Sequence, residues 1–233
     1  MSNEQSQHLA VIPARGGSKR LPRKNIVDFF GKPIIHYTIE AARNAGIFSR
    51  ILVSTEDLEI AEISKRSGAE VDTRPTSLAT DSATIVEVCL ELLDRLEKSG
   101  ERYTTLSVLY ATAPLRTSED IRLTWQLLRP NVCEFAMAVT EFQQPVHQAL
   151  RMEKDGVMKP IFSESIEKRA AAMGNYFSGN GSTYSVNVAA FRRHAGFYGG
   201  LLKGHTMPME RSVDIDTKDD LEMAKFYHER MTR

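Results

Sequence analysis

Short apolar runs alternate with amphipathic stretches through the first half of this chain, and that alternation restricts the fold more than any other feature. Leu9 to Pro13 reads as a strand, and Ile35, Ile39 and Ala42 then recur at helical spacing up to Gly46. Arg50 to Ser54 is followed by Ile60 and Ile63 on a helix that stops at Gly68, with Ala69 to Val71 as a further short strand. Ile85, Val88, Leu92 and Leu96 share one face of a helix over Thr84 to Lys98. Thr105 to Tyr110 precedes a helix from about Ser118 to Arg129. Continuous apolar strands separated by single helices need crossover connections, so the spacing predicts an α/β fold with a mainly parallel sheet and helices on both faces.

The regular alternation ends between Leu127 and Val139, where Phe135, Met137 and Val139 alternate as a buried strand would. From about 140 to 180 no helical period is sustained, and Gln143-Gln144-Pro145, Asp155-Gly156 and a run of charges read as an insertion. Strand character resumes over Thr183 to Val188, and Thr217 with Asp220 marks the start of a closing helix to Met231. At 233 residues the chain has room for one domain with an insertion and not for two complete cores.

Thirty basic and thirty acidic residues give a formal net charge of zero, so no overall field recruits nucleic acid or an anionic membrane. The start of the chain lacks the pattern of a signal peptide, and no apolar run approaches the roughly 20 residues of a spanning helix. Cys89 and Cys133 lie far apart without metal-ligand spacing and read as buried thiols in a reducing compartment, which places the protein in the cytoplasm.

Charge is instead concentrated locally. Pro13-Ala-Arg-Gly-Gly-Ser-Lys-Arg-Leu-Pro-Arg-Lys-Asn25 follows the first strand with Arg15, Lys19, Arg20, Arg23 and Lys24 and no acid. Gly16 and Gly17 let backbone N–H groups converge on an anion while the side chains neutralise it, and a polyphosphate fits this best. The spacing matches neither the ATPase phosphate loop nor the dinucleotide fingerprint. Near the other end, Asp214 and Asp216 occupy alternate positions of an extended segment, where two carboxylates can hold Mg²⁺ against phosphates. Asp219 and Asp220 suit the first turn of the closing helix.

With these motifs in hand, the chain resembles the acylneuraminate cytidylyltransferases, which activate nine-carbon sugar acids with CTP. The basic loop, Arg74-Pro75 with Leu78-Ala79-Thr80-Asp81, Pro114-Leu115-Arg116 and Asp214-Ile215-Asp216-Thr217 follow that family's order over most of the chain. The resemblance implies a Rossmann-like nucleotidyltransferase fold over residues 1–233 and a homodimer whose insertion reaches the neighbouring site. It implies nucleotide contacts at Ala14, Arg15, Gly16, Gly17, Ser18, Lys19, Lys24, Asn25, Arg74, Asp81 and Ala83, with Arg74 on the pyrimidine edge. Arg15, Lys24, Asp214 and Asp216 are the expected catalytic group, the two aspartates as Mg²⁺ ligands. The sugar acid falls to Tyr110, Arg116, Arg169 and Tyr184.

Tyr110-Ala-Thr-Ala-Pro-Leu-Arg116 departs from the Gln-Pro-Thr-Ser-Pro-Leu-Arg of sialic acid members and resembles the pseudaminic acid cytidylyltransferases, as does Ser18 to Asn25. Asn180-Gly-Ser-Thr-Tyr184 leans back toward the sialic acid side. The expected reaction is transfer of CMP from CTP to the anomeric hydroxyl of a nonulosonic acid, pseudaminic acid favoured, with N-acetylneuraminate or legionaminate as alternative substrates. A cytidylyltransferase for the eight-carbon sugar acid is disfavoured by the loop sequence, and a nucleotide sensor leaves the two aspartates unused. His147 reads as a packing residue and not a catalytic one, and Phe191, Phe197 and Tyr198 read as core.

Overall fold

Leu9 to Ile12 are wholly buried on both faces, which only a strand inside a sheet covered from two sides allows. A computed structural model describes residues 7–80, 82–169 and 172–232. In chain order the elements are β1 (His8–Pro13), β2 (Asp28–Phe29), β3 (Lys32–Pro33), α1 (Ile34–Ala45), β4 (Arg50–Thr55), α2 (Leu58–Arg66), β5 (Glu70–Thr73), α3 (Ile85–Lys98), β6 (Thr105–Leu109) and α4 (Ser118–Gln126). They continue with β7 (Phe135–Glu141), β8 (Leu150–Met152), β9 (Met158–Pro160), β10 (Phe177–Asn187), α5 (Val188–His194), β11 (Leu202–Thr206) and α6 (Lys218–Thr232).

The central sheet has seven strands in the order β11-β7-β10-β6-β1-β4-β5. β1 runs parallel to β4 and β6, and β5 is parallel to β4, as the crossover argument requires. Leu9 and Val11 face one way, against Cys89, Leu92 and Leu96 of α3 and Phe191 of α5. Ala10 and Ile12 face the other, against Ile35, Ile39 and Ala42 of α1, Ile60 of α2 and Ile121 of α4. Burial of each such aliphatic side chain contributes ~1.5–3 kcal/mol, and the period of two along β1 distributes that gain between both layers. A third core joins Phe29 and Ile34 to Val213, Ile215, Leu221 and Ala224, fastening α6 beside the first helix.

Helix boundaries follow local chemistry. Gly46 ends α1 in a left-handed conformation at φ 66°, Thr84 and Glu87 form a reciprocal cap on α3, and Thr117 and Asp120 do the same for α4. α4 stops at Gln126, short of the expected Arg129.

The second half departs from the expected pattern in three ways. β10 begins at Phe177, six residues ahead of the anticipated start, and pairs antiparallel with both β6 and β7. β11 adds a parallel edge strand that carries no sequence signal because it alternates charged, small and polar residues. The insertion holds the two-stranded β8–β9 hairpin, exposed along its whole length.

Asp120 locks the chain that leads to the C-terminal aspartates. Only 2% exposed, it accepts from Arg211 Nη1 at 2.8 Å, His205 Nε2 at 3.1 Å and the Thr117 hydroxyl at 2.7 Å. Burial would raise its carboxyl, but the Thr117 cap, His205 and Arg211 outweigh it and hold the group below the ordinary carboxylate value. The stabilisation is therefore complete above the ordinary range and is lost as pH falls through the depressed value. Asp120→Asn should cost about 2–4 kcal/mol in urea unfolding at neutral pH, and the gap to the parent protein should persist down to about pH 4 and close below it.

Candidate active site

The carboxyl ends of β1, β5 and β6 open onto one cleft of about 280 Å³, lined by Pro13, Arg15, Lys24, Asn25, Arg74, Ala83, Ile85, Val88, Tyr110 and Thr112. Ligands in open α/β sheets bind at this end because loops there can diverge while strands hold them rigidly. Two predicted regions thus meet: the basic loop after β1 and the segment after β5.

The loop is folded by its own polar groups and by the β4–α2 turn. Arg23 adopts a left-handed backbone at φ 56°, held by contacts of its guanidinium with Asp57 and Glu59. Asp57 in turn caps α2 by accepting from Ile60 N at 3.0 Å. The Gly16 N–H donates to Glu56 Oε1 at 2.8 Å, and a Cβ at Gly16 would run into the Asp57 carboxylate. Gly17 is exposed, with open space where a side chain would stand. Asn25 is buried and donates from Nδ2 to Arg15 O at 2.9 Å, so it closes the loop and reaches the cleft wall together. Ser18 is half-buried and Lys19 exposed on the same loop.

Ala14 has a fully buried side chain, and its N–H donates to Ser54 O at 3.0 Å, so it continues the sheet pairing one residue past β1. Asp81 lies outside the described residues. Ala83 lines the cleft, its N–H donating to Thr80 Oγ1 at 3.2 Å.

Arg74 is 6% exposed, with Nη2 donating to Ser54 O at 2.8 Å. Burial pushes its guanidinium down, opposed first by the charge of Glu56. A cation held on backbone beneath a cleft can read the edge of a ligand with little entropy left to lose.

At the opposite end, Val213 and Ile215 are buried in the third core, so Asp214 and Asp216 face outward, as their alternation implies. Lys24 Nζ and Arg20 Nη2 each lie 2.6 Å from an Asp216 oxygen. Desolvation raises Asp216, but Lys24 and then Arg20 overcome it and leave the carboxyl low. Asp214 is raised, by desolvation first and by Asp216 beyond it, against a hydrogen bond from Thr112. Gly181, at φ 70°, makes room: a Cβ there would stand 2.5 Å from Asp214 Oδ2. Thr112, unassigned in the sequence, joins this end to the cleft.

Tyr110 is half-buried and packs edge-on against Tyr184, the ring centroids 6.0 Å apart. Burial raises both phenols, Tyr184 to about 12, and Tyr184 is hydrogen-bonded to Tyr198. Tyr198 corrects an expectation: it is 69% exposed beside this pair, whereas Phe191 and Phe197 are core. The Gly196 to Gly200 loop that presents it has no periodicity from which exposure could be read.

Arg116 is buried and is not among the cleft-lining residues. It is 3% exposed, donating to Ser182 O at 2.5 Å, Thr38 Oγ1 at 2.7 Å and Tyr110 O at 3.3 Å, and burial lowers it to about 10. It joins α1, β10 and the end of β6 behind the cleft. Arg169 is exposed on the insertion and is not among the cleft-lining residues. His147 is buried, with Nε2 donating to Lys168 O at 3.0 Å, in keeping with a packing role. Both cysteines are buried free thiols, and desolvation raises Cys89 to about 12.

A profile of the cytidylyltransferase family matches residues 9–228. The chain belongs to the cytidylyltransferase family. It is 32% identical over 230 residues to the pseudaminic acid cytidylyltransferase of Campylobacter jejuni, covering 95% of this chain and 96% of that one. It is 30% identical over 215 residues to the CMP-N,N'-diacetyllegionaminic acid synthase of Legionella pneumophila, covering 91% and 92%. The solved structure of a CMP:2-keto-3-deoxy-manno-octonic acid synthetase complexed with CTP shares the fold at a TM-score of 0.72 and 17% identity, over 97% of this chain and all of that one. The nucleotidyltransferase fold expected from the motifs is thus the fold of this cytidylyltransferase.

Arg116→Ala should lose at least about 3 kcal/mol in urea unfolding, because it empties a buried site and removes three hydrogen bonds, leaving Ser182 O with the Tyr110 N–H alone and Tyr110 O with the Thr38 hydroxyl alone. A substrate-facing arginine would leave the unfolding midpoint in place.

Proposed function

We propose that this chain transfers CMP from CTP to the anomeric hydroxyl of a nine-carbon nonulosonic acid, with pseudaminic acid as the substrate, releasing pyrophosphate. The observation that carries the reading is the single cleft in which the basic loop, Arg74 and Tyr110 meet, with Thr112 linking it to Asp214. Relatives acting on pseudaminic and legionaminic acids, matched over nearly their full lengths, support the same reaction class. Tyr110, in place of the amide of sialic acid members, and the Campylobacter relative favour pseudaminic acid.

In this reading the triphosphate lies along the Gly16–Gly17 loop, with Arg15 and Lys24 neutralising it. Lys24 already holds Asp216, so its ammonium can pass from carboxylate to phosphate over a short path. Arg74 meets the base, and the Tyr110–Tyr184 pair with Tyr198 walls the sugar. In-line attack on the α-phosphorus needs alignment and charge neutralisation more than covalent help.

The donors at the C-terminal end fit Mg²⁺. No group of three or more metal-ligating His, Cys, Asp or Glu occurs among the described residues, and Mg²⁺ is commonly bound by one or two carboxylates together with substrate phosphates. Asp214 and Asp216 supply two hard oxygen ligands, and Gly181 leaves the Asp214 oxygen uncovered. When bound, the ion neutralises charge on the phosphates and sharpens their electrophilicity.

The insertion supports a homodimer. Met152, Met158, Ile161 and Phe162 are 44–68% exposed on and beside the β8–β9 hairpin, a concentration of apolar surface that a second copy would cover. Arg169 on the same insertion would then serve the partner's cleft. Two buried free thiols and an acceptor reaction fed by CTP suit the cytoplasm.

Pyrophosphate release from CTP with Mg²⁺ should be fastest with pseudaminic acid in a panel including legionaminic, N-acetylneuraminic and eight-carbon sugar acids, with ATP, GTP and UTP inert. Asp216→Asn should reduce turnover by at least about 100-fold with the fold intact, and near-normal rates at saturating Mg²⁺ would sink the metal assignment. Sedimentation should give a dimer that Met152→Lys with Ile161→Lys converts to monomer.

A further inference from the structure

Glu56 stands where the basic loop and the segment that carries Arg74 share a support at the end of β4. It is the first residue past β4, and the backbone just before it already serves both sides. Ser54 O accepts from Ala14 N at 3.0 Å and from Arg74 Nη2 at 2.8 Å, and Thr55 O accepts from Arg74 N at 3.0 Å. Glu56 extends this spine into the loop itself, its Oε1 accepting from the Gly16 N–H at 2.8 Å. Its Oε2 is buried and has no hydrogen-bond partner among the described residues.

A buried carboxylate oxygen without a donor is costly and calls for a compensating reason. The neighbourhood supplies one. Arg74 is a buried cation whose hydrogen bonds go to a carbonyl and, at 3.4 Å, to the Ser54 hydroxyl, all neutral acceptors. Glu56 is the leading negative charge acting on it. The adjacent Asp57 cannot take this place, because Arg23 and the Ile60 N–H already occupy it. Glu56 is not among the cleft-lining residues, and its hydrogen bond goes to the loop backbone at Gly16.

We propose that Glu56 is the positioning residue that sets the phosphate loop and Arg74 in register, fixing the Gly16 peptide from behind with one oxygen and countering the buried guanidinium with its charge. Nucleotide then meets a loop and a base-reading arginine already placed relative to each other, so little ordering remains on binding. The sugar-acid end draws nothing from Glu56.

The inference rests on CTP being the nucleotide, and the test separates the two. Wild type, Glu56→Ala and Glu56→Gln are compared by CTP calorimetry, by KM and kcat for CTP and for the sugar acid, and by thermal unfolding. Loss of a charge-assisted contact in Glu56→Ala should raise Kd and KM for CTP at least about 10-fold while kcat and the sugar-acid KM stay within about 2-fold. Glu56→Gln keeps an acceptor for the Gly16 N–H and loses only the charge, so it should fall between wild type and Ala, about 3-fold weaker. If Glu56→Ala does not fold, the Gln variant decides alone. Unchanged CTP affinity in a folded variant, or a loss confined to kcat or to melting temperature, overturns the proposal. Wild-type protein that binds CTP without releasing pyrophosphate overturns the reaction and leaves Glu56 to be judged on Kd, whereas failure to bind CTP overturns both.

Discussion

The ion pair between Lys24 and Asp216 closes this molecule on itself. It joins residues 192 positions apart, the loop after the first strand and the segment before the last helix, at 2.6 Å. Both partners can be there only because the core beneath them is finished. Val213 and Ile215 must be buried for Asp216 to face the loop, and Asp57 must hold Arg23 in its left-handed turn for Lys24 to point across. The pair is partly exposed, and its direct contribution to stability is modest. Its importance lies in what it aligns: a cation suited to phosphate and a carboxylate suited to a metal, each keeping the other in place in the absence of substrate.

Much of this was legible in sequence because it is local. The helical spacing of Ile85, Val88, Leu92 and Leu96, Thr217 with Asp220 as a start, and Gly46 as a stop all act within a few residues, and each has its structural counterpart. The basic loop and the Asp214–Asp216 alternation were equally readable, since a phosphate loop needs glycines and cations next to one another and a two-carboxylate face needs a period of two.

What escaped depends on distant partners. Arg116 sits in a motif shared with sugar-activating relatives, yet its two terminal nitrogens are taken up by Ser182, Thr38 and Tyr110, three groups that only the finished sheet brings together. Ala14 is core for the same reason: the strand extends one residue further because Ser54 lies beside it. Tyr198 looked like packing because aromatic residues near Phe197 usually are, and only the short turn after α5 turns it outward. Burial of a polar group and exposure of an aromatic one are both decided by tertiary neighbours, to which a single sequence gives no access.

The antiparallel strand β10 has a consequence for the order in which the protein comes into being. It lies between β6 and β7, which do not pair with each other, so β7 and β11 join the rest of the sheet through residues 177–187. A chain emerging from its amino end can assemble β5-β4-β1-β6 early, from neighbouring crossovers, but that half-sheet ends in a bare edge at β6 until three-quarters of the sequence exists. The bulge that seats Asp214 and the contacts that bury Arg116 belong to that same late strand. The loop after β1 is therefore among the first parts made, and its far wall, at Gly181 and Asp214, among the last.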